Sequence, residues 1–151
     1  MAYDLSKLRI LLVDHQTARR ALVQDVLKVI GVEFIETAPD GSSAYSLFRS
    51  TMHDIVITER VMRPLDGLEL TRMIRNDASS PNPTVPILML TAMPSLQDVI
   101  RARDSGVTEF MIMPFSVEGL YRRLVAIIEQ PRQFVRVSDY FGPDRRRSGP
   151  K

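Results

Sequence analysis

An α/β architecture, an open parallel sheet with helices on both faces, is what this sequence predicts. Three observations carry it. Short apolar runs alternate with longer amphipathic stretches five times along residues 1–130. The runs are almost continuously apolar, as strands buried on both faces must be. Five strand–helix units occupy roughly 130 residues, where a closed barrel needs eight units and about 250. Right-handed crossovers between such units make the sheet parallel.

The first strand is expected at Leu8-Arg9-Ile10-Leu11-Leu12-Val13. A helix from Ala18 to Ile30 follows, with Leu22, Val26 and Ile30 at helical spacing and Gly31 as its stop. Val32 to Thr37 suits a second, shorter strand. Asp40-Gly41 opens a helix carrying Ala44, Leu47 and Phe48 on one face. Ile55-Val56-Ile57 is the third strand, and Asp66 is placed to cap a helix bearing Leu70, Met73 and Ile74. Residues 78–83, with two prolines in three positions, form a loop. Pro86-Ile87-Leu88-Met89-Leu90 is the fourth strand, with proline only at its tolerated first position. Ser95 caps a helix with Leu96, Val99 and Ile100, ended by Gly106. Glu109-Phe110-Met111-Ile112 is the fifth strand, and Ser116 caps a last helix with Leu120, Leu124, Ile127 and Ile128 inward. The pattern is that of a flavodoxin-like (βα)5 sheet with strand order 2-1-3-4-5.

Composition narrows the functions available. At 151 residues, one domain is expected, and 44% apolar with 25% charged residues is far from a disordered chain. The absence of cysteine excludes disulfide scaffolds, thiol catalysis and cysteine-ligated metals. No apolar run approaches the ~20 residues that span a bilayer, and Met1-Ala2-Tyr3-Asp4 lacks a secretion-signal layout. A cytoplasmic protein with no membrane contact is expected. The net charge of +2 is uneven: residues 131–151 hold six Lys/Arg against two acids, so residues 1–130 are mildly acidic.

Open sheets of this kind collect ligands at the carboxyl ends of their strands. The residues arriving there are Asp14-His15, Thr58-Glu59, Thr91-Ala92 and Met113-Pro114. Two carboxylates so close would repel, and each would need a cation, a donor or a proton. Simpler roles exist for each: Asp14 as a helix cap, Glu59 as a solvated loop acid, Thr91 as a turn hydroxyl.

These segments also carry a resemblance. Leu12-Val13-Asp14, Asp54-Ile55-Val56-Ile57-Thr58-Glu59, Asp66-Gly67-Leu68-Glu69-Leu70, Pro86 to Ala92, Gly106 to Phe110 and Pro114-Phe115 together resemble a CheY-like response-regulator receiver domain. The resemblance spans roughly residues 5–130, and it is the order and spacing, more than any single motif, that is specific. It implies an aspartate after the third strand that takes a phosphoryl group from a histidine kinase. It also implies two acids after the first strand that help hold magnesium, a Thr or Ser after the fourth, a lysine after the fifth, and an aromatic switch residue three positions before that lysine. By position, the first acid corresponds to Asp14, the hydroxyl to Thr91 and the aromatic to Phe110.

Three positions depart from the pattern: His15 stands for the second acid, Glu59 for the phosphoacceptor and Met113 for the lysine. Imidazole is a poor magnesium ligand, so metal binding through Asp14 and Glu59 is expected to be weak or absent, and no cofactor is required. Met113 offers no charge to a phosphoryl group, whose transfer depends on charge stabilisation and positioning. A stand-alone pseudo-receiver that does not catalyse its own phosphorylation is therefore expected. A His15–Glu59 or His15–Asp14 contact could partly replace the ion. Whether Glu59 mimics the phosphorylated state or marks an inert one stays open. An iron or zinc site would need a further ligand, and His53 lies at the opposite edge of the sheet.

The remaining expectations concern partners. Residues 131–151 form a basic tail interleaved with Phe134, Tyr140 and Phe141, suited to packing on a surface, including its own domain. Three arginines at 145–147 are a weak nucleic-acid signal, so nucleic acid is not expected as a partner. The resemblance implies protein contacts with a histidine kinase, phosphotransfer protein or output protein through the fourth helix, fifth strand and fifth helix. Two alternatives belong to other classes: a phosphorylation-competent receiver with an atypical acceptor and weak metal site, and a flavodoxin-like cofactor binder. The second is opposed by the segment 14–20, which has no glycine for a phosphate cradle.

Overall fold

Five parallel strands stand in the order β2-β1-β3-β4-β5, where β1 is Arg9–Val13, β2 Phe34–Ala38, β3 Ile55–Glu59, β4 Ile87–Ala92 and β5 Glu109–Met113. The computed structural model describes residues 3–92 and 94–145. Helices α1 (Thr17–Val29), α2 (Gly41–Ser50), α3 (Gly67–Asn76), α4 (Leu96–Ser105) and α5 (Val117–Glu129) connect and follow the strands.

Successive side chains along a strand point to opposite faces, and here both faces are apolar. Ile10, Leu12, Ile55, Ile57, Leu88, Leu90 and Met111 meet Val23 and Leu27 of α1 and Leu120, Leu124 and Ile127 of α5. Leu11, Val13, Val56, Ile87 and Met89 meet α2, α3 and Ala102 of α4 on the other side. Each layer therefore takes every second residue of the same strands. That is why the runs show no polar alternation in the sequence.

The helix starts fall where the sequence places them. Asp40, Asp66, Ser95 and Ser116 accept backbone N–H bonds from Ser43, Glu69, Asp98 and Gly119, at 2.7–3.0 Å. Three details differ. The second strand begins at Phe34, and Val32 is buried in the turn after Gly31 instead of pairing in the sheet. Leu22, one of the three residues at helical spacing, is 63% exposed, while Val23 and Leu27 face the sheet. The series 22-26-30 and 23-27-30 both obey helical spacing, and only the register of α1 on the sheet separates them. Leu96, Val99 and Ile100 of α4 also lie at the surface, while Ala102 and Ser105 are buried.

After α5 the chain turns back as an antiparallel hairpin, β6 (Phe134–Val137) and β7 (Tyr140–Pro143). Its second strand lies beside α3 and α4. Gly142 approaches so closely that a Cβ there would stand 3.0 Å from the Cα of Gly106. The arginines at 146 and 147 lie outside the described residues.

Candidate functional site

The strand order makes a switch point between β1 and β3, because β1 leads to β2 on one side and the chain then crosses to β3 on the other. The carboxyl ends of these two strands border the ligand-binding crevice of such a sheet. Val13 pairs with Thr58 across that boundary, so the next residues, Asp14 and Glu59, emerge side by side. Both are buried, at 4% and 6% exposure. A close approach fixes the end of β3 from behind. Gly67 packs so tightly that a Cβ would sit 2.1 Å from the Glu59 carbonyl oxygen, and its N–H donates to the Arg60 carbonyl at 2.9 Å.

Arg19, in the first turn of α1, supplies the cation that these acids require. Its Nε donates to Asp14 Oδ2 at 2.6 Å and its Nη2 to Asp14 Oδ1 at 2.9 Å, a bidentate clamp. The same Nη2 reaches Glu59 Oε1 at 2.5 Å. The second oxygen of Glu59 accepts from the His15 backbone N–H at 2.5 Å and bonds the His15 Nδ1. Arg20 holds the loop from outside, donating to the Asp14 carbonyl at 2.7 Å. Asp14, His15 and Glu59 thus present ligand-type atoms within 4.8 Å of one another, with a guanidinium bound to both acids.

Electrostatics follow from these contacts. Burial pushes the Asp14 carboxyl upward, but its bonds to Arg19, with those to Glu59 and the Gln16 amide, bring it below its ordinary range. Burial and then the neighbouring Asp14 raise Glu59, against the His15 bonds. Arg19 is raised, chiefly by its bonds to Asp14.

The other positions at this edge stand apart. Among the described residues, the Thr91 hydroxyl makes one hydrogen bond, to the Ala92 carbonyl at 3.5 Å. Met113 is half-buried and lines an apolar groove of about 440 Å³ with Leu22, Val26, Pro114 and Phe115, next to Arg19. Phe110 packs against the α2–α3–α4 core and lines a cavity of about 160 Å³ bounded by α4 and the hairpin. Arg60, after Glu59, reaches over to Asp98 of α4 at 3.0 Å. His53 lies at the far edge, its Nε2 2.6 Å from Glu36.

Sequence reasoning missed Arg19. A signal existed: α1 has no acid in its first turn, yet Arg19 and Arg20 stand there against the positive end of the helix dipole. Cations so placed call for an acidic partner from elsewhere in the fold.

A family model described as the response regulator receiver domain matches residues 10–125. The chain belongs to the response regulator receiver family. Two curated relatives are similar: the probable transcriptional regulator ycf27 of Guillardia theta, 34% identical over 83% of this chain and 47% of its own length, and the transcriptional regulatory protein TrcR of Mycobacterium tuberculosis, 32% identical over 90% and 51%. The chain spans about half the length of these relatives. Among solved structures, the Vibrio cholerae chemotaxis protein CheY4 is 28% identical, with a TM-score of 0.72 over 80% of this chain and 98% of its own. The receiver domain of the Pseudomonas aeruginosa sensor histidine kinase PA1611 is 25% identical, with a TM-score of 0.73 over 82% and 98%, and carries magnesium in its active-site cleft.

The resemblance to receivers implies a magnesium ion at the crevice between β1 and β3. This receiver's residues do not fit that ion well. Magnesium wants several oxygens in octahedral array, whereas one neighbour here is an imidazole and both carboxylates already bind a guanidinium. No helix among the described residues is long and apolar enough to cross a membrane.

Proposed function

We propose that this receiver signals in a two-component system through protein contacts, without aspartyl-type phosphorylation of its own. The observation that carries this reading is the state of Glu59: one oxygen is held by Arg19 and the other by the amide and imidazole of His15. A carboxylate engaged at both oxygens is a poor nucleophile. A phosphoryl group placed on it would find Met113 where the family has a lysine. Phosphoryl transfer draws almost all its catalysis from positioning and charge stabilisation, and the Arg19 guanidinium of this crevice is already committed to both carboxylates.

The working surface in this reading is formed by α4, β5 and α5. Leu96, Val99, Ile100, Ile112 and Val117 are exposed there, with Arg101 and Arg122 among them. Apolar anchors rimmed by arginines suit a signalling protein, a kinase or an output domain, more than a small ligand. The protein would act in the cytoplasm, where its partners act.

An amide NMR titration with magnesium and then beryllofluoride, a phosphoryl mimic, tests the reading. Flat shifts at Asp14, Glu59 and Thr91 are expected. Saturable shifts spreading to Thr91 and Phe110 would overturn it and restore a phosphorylation-competent receiver.

A further inference from the structure

Resting on that reading and deepening it, we infer that Arg19 is a tethered cation that takes the place of the divalent ion, so that its removal turns Asp14 and Glu59 into an accessible divalent-cation site. The guanidinium spans both carboxylates, with bonds of 2.6, 2.9 and 2.5 Å to three different oxygens. A planar fork with fixed donors does this well, and a lysine would not, because an ammonium is a compact point charge. The remaining Glu59 oxygen is covered by His15. An entering dication would have to displace a like-charged group from both acids at once.

The tether is covalent and short. Arg19 sits in the first turn of α1, directly after the loop that carries Asp14 and His15, and Arg20 pins that loop through the Asp14 carbonyl. A bound ion leaves when its concentration falls, but Arg19 cannot. The charge balance at the crevice is therefore permanent and independent of divalent-ion supply. The guanidinium offsets one of the two carboxylate charges. No second cation is needed to hold the strands' ends together.

Manganese, a paramagnetic stand-in for magnesium, is the probe. With the full chain and Arg19→Gln, wild type should show no selective line broadening at residues 14–16 and 59, and the variant should show saturable broadening reversed by EDTA. At least a tenfold gain in manganese affinity is expected, with Arg19→Lys falling between the two. A folded Arg19→Gln that gains nothing, or a wild type that binds manganese equally tightly, would overturn the inference. Should Arg19→Gln not fold, wild type still decides. Its Arg19 Nε–H resonance should be exchange-protected and unmoved by manganese, and fast exchange or a shift there would sink the idea. Beryllofluoride shifts in wild type judge the function separately. If wild type stays flat while Arg19→Gln fails to bind manganese, the binding-module reading stands and the tethered cation falls.

Discussion

Two arginines are drawn into this fold at opposite ends of the sheet, and their donors are satisfied by different chemistry. At the carboxyl edge, Arg19 is bound by two carboxylates and remains partly exposed. At the amino edge, Arg75 of α3 is 2% exposed and, among the described residues, hydrogen-bonds no carboxylate. Its donors go to the carbonyls of Gly106, Pro83 and Val85 at 3.0, 2.9 and 2.6 Å and to the Thr108 hydroxyl at 3.3 Å. The ring of Phe134, from the hairpin, lies 4.9 Å from the guanidinium. Burial pulls the Arg75 guanidinium down to about 9, so it keeps its charge at neutral pH. The difference is one of purpose. Arg19 balances two acids at the crevice, whereas Arg75 satisfies loop carbonyls and seats the tail.

That contrast predicts its largest effect at Arg75. Arg75→Met keeps the volume but strips donors from the buried carbonyls of Gly106 and Val85 and from the half-buried carbonyl of Pro83, while Thr108 keeps the Ile87 N–H, and each buried acceptor left without a partner costs about 1–3 kcal/mol. A loss of roughly 3 kcal/mol or more in urea unfolding is expected, since such effects are not additive. Amide exchange should rise first in residues 134–143, which would lose the cation under Phe134. A loss below about 1 kcal/mol would erase the distinction between the two sites.

Much of this fold was legible in the chain. Uninterrupted apolar strands, caps at Asp66, Ser95 and Ser116, and punctuation by Gly31 and Gly106 are local signals, each with its cause inside a few residues. The strand order and the meeting of Asp14 with Glu59 followed from topology. What local patterns do not hold is pairing at a distance. Arg75 looks like an ordinary helix-surface cation in sequence and Arg19 carries only the hint of its place in the first turn, so register alone places one between two acids and the other under a phenylalanine. The exposure of Leu22 is likewise set by the register of α1. The docking of the tail was suggested by its aromatics, but nothing in the chain names Arg75 as its seat.

Acid pH should separate the two regions next. Among the described residues Arg75 hydrogen-bonds no carboxylate, so of the two arginines only Arg19 has partners that titrate at acid pH. Asp14 is lowered in the fold: its stabilising contribution is complete above its unfolded value of ~4 and drains away as pH falls through and below that value. Glu59 is raised, and its sign is opposite: its contribution is present at low pH and lost as pH rises through its folded value. Carboxyl-carbon NMR should therefore find the two neighbours titrating apart, Asp14 below its ordinary range and Glu59 above. A common titration near ~4 would mean that Arg19 does not hold them as described.

The smallest effect is expected at Arg145, a third arginine that marks where the contrast ends. It bonds Asp104 at 2.8 Å and stacks 4.4 Å from the Tyr140 ring, an arrangement that on paper resembles the other two. Both charged groups are well exposed, however, at 39% and 47%, and Asp104 has Arg103 as a second partner at 3.6 Å. Water already solvates what the bridge would neutralise, so Arg145→Ala should cost only ~0–0.5 kcal/mol in urea unfolding. Raising salt should shrink even that difference, because exposed pairs are screened. A loss above about 1 kcal/mol would show that Tyr140 and Arg145 act as a second seat for the hairpin. The tail would then be held from both sides, and the weight given to Arg75 would have to be shared.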